Sequence, residues 1–145
     1  MRLLSLFTVA LSLTSGCASM LKSIDEATKA PGPNLASLPP GPGFTCYTAS
    51  VATWSGCWRA QGDCEENRKT NVEDGEKDKV QFGACQPALQ AACVSFDRME
   101  MQDDGSSKYA TMVECLPDER QCEEYRASIS KQSGYMSISS CAVVK

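Results

Sequence analysis

The residues best suited to chemistry in this 145-residue chain are its nine cysteines, and no histidine accompanies them. Without an imidazole, Ser-His-Asp and Cys-His activation of a nucleophile are excluded, as is a histidine pH switch. Thiol chemistry is left. Thioredoxin-like exchange needs C-x-x-C, and structural zinc favours similarly close pairs. The tightest spacings here are Cys57-x6-Cys64 and Cys115-x6-Cys122. They favour disulfides over a metal site or a redox motif.

Carboxylates come next. Glu65/Glu66 and Glu123/Glu124 are pairs of the kind a carboxylate-dependent hydrolase would use. Arg68 and Arg126 follow Glu65 and Glu123 by three residues, so solvated charges at a helix start account for them better. Ser128 and Lys131 fall on an exposed helix face with nothing to activate them. Asp103-Asp104-Gly105 and Glu73-Asp74-Gly75-Glu76 lack the alternating ligand spacing of a calcium loop and read as turns. There is no G-x-S-x-G, phosphate loop or H-E-x-x-H. With 18 acidic against 14 basic residues and a net charge of −4, a nucleic-acid surface is disfavoured. The sequence assigns no catalytic residue, metal or cofactor. Trp54 and Trp58 stand four apart, which on a strand puts them on one face. Core packing is the favoured role, and a platform for a glycan ring or an envelope protein is the alternative.

These residues need elements to position them. Met1-Arg2 is followed by an apolar run, Leu3 to Leu13. It is shorter than the ~20 residues a membrane span needs and fits the apolar region of a secretory signal. It ends in Leu13-Thr14-Ser15-Gly16-Cys17, which resembles the lipobox of bacterial lipoproteins: small residues precede a cysteine, with Thr14 where the family usually has leucine. The resemblance covers residues 1–17. It implies a signal peptide over 1–16, cleavage before Cys17 and a diacylglyceryl group on its thiol, so membrane lipid is the first partner. With Ala18 in place of the aspartate that retains such proteins at the inner membrane, it implies an outer-membrane location, facing the periplasm or the surface. Plain secretion is the alternative.

Setting Cys17 aside leaves eight cysteines in an exported chain, an even number that implies four disulfides. Residues 17–43 read as a lipid-anchored tether. Ser19 to Ala30 has the pattern of a brief amphipathic helix through Met20, Leu21 and Ile24, too short to be stable alone. Five of the seven prolines then fall between Pro31 and Pro42, which predicts a semi-rigid, extended stretch.

Residues 44–145 form the cysteine-rich domain, and it contains an internal repeat. Cys57 to Arg68 and Cys115 to Arg126 both read C-x6-C-E-E-x-R. Cys46 and Cys85 flank the first copy as Cys93 and Cys141 flank the second. The halves run over about 44–86 and 91–145, each ordered strand, strand, helix, strand, so the fold class is α+β. In the second half, Cys93 to Met99 and Tyr109 to Cys115 make strands around the Asp103-Asp104-Gly105 turn. Pro117 opens a helix with a Cys122, Tyr125, Ile129 stripe, Gly134 terminates it, and Tyr135 to Val144 is the last strand. In the first half, Phe44–Thr53 and Trp54–Trp58 make a hairpin, Gln61 to about Val72 a helix and Val80–Cys85 a strand. Pro87–Ala92 is one helical turn between the halves.

Cys93 and Cys115 are centred on Asp104, and Cys46 and Cys57 on residues 51 and 52, so each pair faces across a hairpin. That leaves Cys64 with Cys85 and Cys122 with Cys141. The alternative joins Cys57 to Cys64 and Cys46 to Cys85, with matching pairs in the second half. The repeat signature is similar to that of small cysteine-rich lipoproteins of myxobacterial type, a resemblance over about residues 44–145 that implies no activity. The sequence thus supports a lipid-anchored envelope protein with a non-enzymatic binding or structural role. One alternative is a protease-inhibitor-like module presenting loop 58–63 or 116–121. The other is the carboxylate hydrolase.

Overall fold

A computed structural model describes residues 30–145. The signal peptide 1–16, Cys17 and all but the last residue of the expected Ser19–Ala30 helix lie outside the described residues.

The described chain is α+β and disulfide-rich, with antiparallel sheets and two α-helices. The first half contains β1 (Phe44–Tyr47), β2 (Gly56–Trp58), α1 (Gln61–Gly75) and β3 (Gln86–Ala88). The second contains β4 (Ala91–Met101), β5 (Ser107–Leu116), α2 (Glu119–Ile129), β6 (Tyr135–Met136) and β7 (Ala142–Val144). Sheet order is β2-β1-β3 in one half. In the other, β5 pairs one edge of β4, while β6 and β7 share its other edge. The two halves therefore repeat the strand, strand, helix, strand order.

Four disulfides hold these elements: Cys46–Cys57, Cys64–Cys85, Cys93–Cys115 and Cys122–Cys141. Two are hairpin staples between residues directly opposite in the ladder, with Cα atoms 4.1 and 4.0 Å apart. The other two fasten a helix to the chain that follows it, at 6.3 and 6.2 Å. The halves thus match in geometry as well as in cysteine order. A disulfide set of this kind belongs to an oxidising compartment, in the cell envelope or outside the cell. No helix among the described residues is long and apolar enough to cross a membrane.

The buried side chains follow strand alternation. Phe44, Cys46 and Cys57 of the first half and Ala91, Cys93 and Cys115 of the second form one shared cluster. On the opposite face of β4, Ala92 and Val94 join Leu116 and Cys122 beneath α2. In the first half Tyr47, Cys64 and Cys85 form the corresponding cluster with α1. Both faces of β4 are covered from Ala91 to Phe96, which makes it the central strand.

The two helices are secured differently. In α2, Asp118 is the N-cap and accepts from the Gln121 backbone N at 2.8 Å and from its Nε2 at 3.1 Å. Pro117 therefore precedes the cap and is not the first helical residue. Cys122 and Ile129 are buried and Tyr125 is half-buried, so the expected stripe faces the sheet. Along α1 only Cys64 and Gly75 are buried. That helix is held by its disulfide, by Asn71 Nδ2 donating to Tyr47 Oη at 2.6 Å, and by Arg68 donating to the Gly83 carbonyl. It runs three residues beyond Val72 to Gly75, where a Cβ would strike the Phe82 ring.

Four further sequence expectations are corrected. The first hairpin is not two long strands: Ala52–Trp54 is a 3-10 turn closed by Trp54 N to Val51 O and Ser55 N to Ala52 O. The third strand is not Val80–Cys85 but Gln86–Ala88, and only Phe82 of the earlier stretch bridges, to Ala49. Consequently Pro87–Ala92 is strand and connection, not a helical turn. Pro87 is tolerated because β3 is an edge strand. The last strand is broken, because Ser137 adopts a left-handed φ of 51° and the buried Ser139 hydroxyl accepts from Ser95 N at 2.9 Å. Between β6 and β7 the Ser95 carbonyl still accepts from Ser139 N at 2.9 Å, while the Ser139 hydroxyl takes the place of a carbonyl as acceptor for Ser95 N.

Because both hairpin disulfides sit in one cluster, their removal should be coupled. Replacing Cys46/Cys57 or Cys93/Cys115 by alanine pairs should each cost roughly 3 kcal/mol. The four-alanine variant should depart from the sum by about 0.5–3 kcal/mol. Removing Cys64–Cys85 and Cys122–Cys141 together should be additive, because they lie in separate clusters. Denaturant unfolding of the six variants checks this, and additivity of the hairpin pairs would refute the shared-cluster account.

Candidate functional site

The tryptophans occupy different elements. Trp54 is in the 3-10 turn and Trp58 on β2, so strand alternation does not relate them. Trp58 stacks on Tyr47 with centroids 5.4 Å apart and planes at 14°. Tyr47 meets Phe82 edge-on at 6.2 Å, and Phe82 meets Trp54 at 6.1 Å. The four rings form a string across the first half, with both indoles half-buried. Gly56 is required beneath it, since any Cβ there would enter the Trp58 ring.

The carboxylate pairs stay apart in the fold. Glu65 and Glu66 are exposed on α1, and Glu123 and Glu124 are exposed on α2. Glu123 pairs with Arg126 at 2.7 Å and Glu124 with Arg120 at 2.6 Å, both at solvent-exposed positions. Arg68 turns to the Gly83 carbonyl rather than to Glu65. The two inhibitor-loop stretches are strand-to-helix connections. Residues 61–63 already belong to α1 and 119–121 to α2. Arg59 is tied down by the carbonyls of Gly43 at 2.7 Å and Lys145 at 3.1 Å, and its guanidinium lies 3.9 Å from the Phe44 centroid. Ser128 lies on α2, and Lys131 follows its C-terminus.

The surface that distinguishes the domain is the outer part of the β4–β5 hairpin, which sequence reasoning did not single out. On the face shared by Cys93 and Cys115, successive residues of β4 are Ser95, Asp97, Met99 and Met101, opposite Val113, Thr111, Tyr109 and Ser107 of β5. Near its buried end this face is covered by the first half. The proline-rich segment then takes over. Leu35 and Leu38 pack on the shared cluster, Asn34 N donates to Ser95 Oγ at 2.8 Å, and the Pro31 carbonyl accepts from Ser140 N at 2.8 Å. Residues 31–38 are thus part of the domain surface rather than a free tether. The reason is that proline-rich chain offers few backbone donors, and serine hydroxyls and loop amides of the sheet make up the pairing.

Beyond that cover the face is bare among the described residues. Met99 is 49 % exposed, Met101 78 %, Tyr109 48 % and Met136 52 %. Met136 joins them because β6 pairs it with Asp97. Where cover gives way to bare face, a cavity of about 300 Å³ is lined by Pro31, Asn34, Asp97, Thr111, Ser137 and Ser139, among others. Hydrogen bonds from the Thr111 and Ser137 hydroxyls hold the Asp97 carboxyl below its ordinary range. Thr111 Oγ1 lies 2.7 Å from Asp97 Oδ1. The polar groups of the cavity are therefore largely engaged with one another, and Met99, Tyr109 and Met136 follow next to it along the strands. The alternating Met99, Met101 and Tyr109 were the available signal, and they look like ordinary strand residues until the cover is known.

A second unusual group is Glu114, opposite Val94 on β5. Burial raises its carboxyl above the usual range, against the opposing pull of Arg98. Its charge in turn adds to the upward shift that burial gives the Tyr47 and Tyr125 phenols. Among the described residues no group of three or more Cys, Asp or Glu is arranged to hold a metal.

Comparison of the chain with protein-family models, curated proteins and solved structures gives no match.

A raised carboxyl pKa means the folded state holds the proton more tightly than the unfolded chain does. Stability contributed at Glu114 is therefore greatest below the unfolded value and falls as pH rises through the raised folded value. Glu114→Gln should unfold at a higher temperature than the parent at pH 7, with the difference gone near pH 4, about the ordinary glutamate pKa. Thermal melts at the two pH values check this. An equal shift at both would show that the carboxylate is not the cause.

Proposed function

We propose that this chain is a lipid-anchored protein of the bacterial outer membrane whose disulfide-bonded domain binds an envelope component or has a structural role there, without catalysis. The observation carrying this reading is the arithmetic of the thiols. The domain's eight cysteines pair among themselves. Cys17 is the ninth, and it alone follows an apolar run and a pair of small residues. A lipid modification gives that cysteine a role and leaves none over. Burial of the hairpin disulfides in a shared core supports a scaffold that keeps its shape in an oxidising setting.

The anchor is tested by metabolic labelling with a fatty-acid analogue in a Gram-negative host. The parent chain should carry the label and fractionate with outer membrane. Cys17→Ser should lose the label. Equal labelling of both chains would overturn the lipid-anchor reading.

A further inference from the structure

We infer that the bare Met99–Met101–Tyr109–Met136 face is a second membrane contact, resting sidewise on the bilayer that holds Cys17. This inference rests on the lipid-anchor reading above.

The first reason is where the chain leaves the fold. Pro31 and Asn34 are fastened to Ser140 and Ser95 at the rim of the cavity where the bare face begins. Only thirteen residue steps separate Cys17 from Ala30. Fully extended they span at most ~45 Å, and as flexible chain about 20 Å on average. An acyl group on Cys17 therefore brings the lipid within reach of this rim and of the bare face that begins there. At such short range a weak contact is populated, because the anchor sets a high effective concentration.

The second reason is the chemistry of the face. It carries three methionines, whose flexible thioethers adapt to an irregular surface, and a tyrosine, whose ring has one apolar and one polar end. Tyrosine is a favoured side chain at the headgroup level. Asp97, the carboxylate on this face, is bonded to hydroxyls of Thr111 and Ser137. Asp103 and Asp104 occupy the tip of the hairpin with Lys108 just beyond. An acidic tip opposes end-on insertion and attraction to anionic lipid. It is compatible with the hairpin lying on its side against zwitterionic headgroups.

The test uses full-length, acylated protein in vesicles of phosphatidylethanolamine and phosphatidylcholine with brominated acyl chains. Tryptophan is introduced singly as Met101→Trp or Tyr109→Trp, with Leu89→Trp as control and the parent's Trp54 and Trp58 emission subtracted. All three sites are exposed, and Leu89 lies in the connection before β4, at the far end of that strand. Emission from positions 101 and 109 should shift to the blue and be quenched, and that from 89 should do neither. Quenching at 101 and 109 no greater than at 89, in protein that floats with the vesicles, would overturn the inference and leave the anchor standing. In that case cross-linking would distinguish a second copy on the face from cover by residues 18–29. Failure to float with the vesicles would remove the anchor and the inference together.

Discussion

The fold depends on the packing of two disulfides against a common core. Cys46–Cys57 and Cys93–Cys115 each join residues directly opposite in an antiparallel hairpin, and both are buried in the cluster that the halves share. A covalent link between opposite residues fixes strand register, since a one-residue slip would exchange the two faces of a strand. Fixing register in β1 and β4 decides which residues point inward. Phe44 and Ala91 go to the common core. Tyr47 goes to the α1 side and Ala92 and Val94 to the α2 side. The outer two disulfides then close each half onto its helix.

The repeat is conserved within the chain in its covalent links more than in its apolar pattern. The second half has a recognisable helix stripe, a capped N-terminus and aromatic cover, with Phe96 6.3 Å from Tyr125 and 5.3 Å from Tyr135 between ring centroids. The first half has a helix that is polar nearly all round, and it relies on Cys64–Cys85 and on two side-chain hydrogen bonds. A helix without an apolar stripe has little tertiary packing to stabilise it. The disulfide compensates by limiting the unfolded chain. The same cysteine framework therefore tolerates quite different side chains around it.

This division explains what the amino-acid order discloses. Turn signals and cysteine positions locate the hairpins, because Asp103-Asp104-Gly105 and the residues near 51 and 52 are equidistant from their flanking cysteines. The α2 stripe is also legible, because Cys122 and Ile129 recur at helical spacing. Features governed by tertiary pairing are not. Nothing local marks Ser137 as left-handed, or Ser139 as the group that substitutes for a ladder bond to Ser95. Pro87 suggests an interruption and instead sits in an edge strand. Trp54 and Trp58 look like strand neighbours until Val51 to Trp54 closes as a 3-10 turn. The bare hairpin face was hidden for a related reason: exposure of Met99 and Tyr109 depends on where the covering segment ends.

That covering segment links the scaffold to its setting. A proline-rich chain cannot add a regular strand, since it lacks donors and has fixed φ. It can lie on a sheet only where the partner supplies unpaired groups. Ser95 Oγ, Ser140 N and Ser140 Oγ do so for Asn34 and Pro31. Ser95 of β4 and Ser140 of the broken final strand thus receive the chain at Asn34 and Pro31. Ser139 N pairs inward with the Ser95 carbonyl, and the next amide along this edge, that of Ser140, faces outward to the Pro31 carbonyl. The result fixes Pro31 and Asn34 on one edge of the domain. An attachment made anywhere upstream then acts on one defined edge of a disulfide-bonded body rather than on a freely swivelling one.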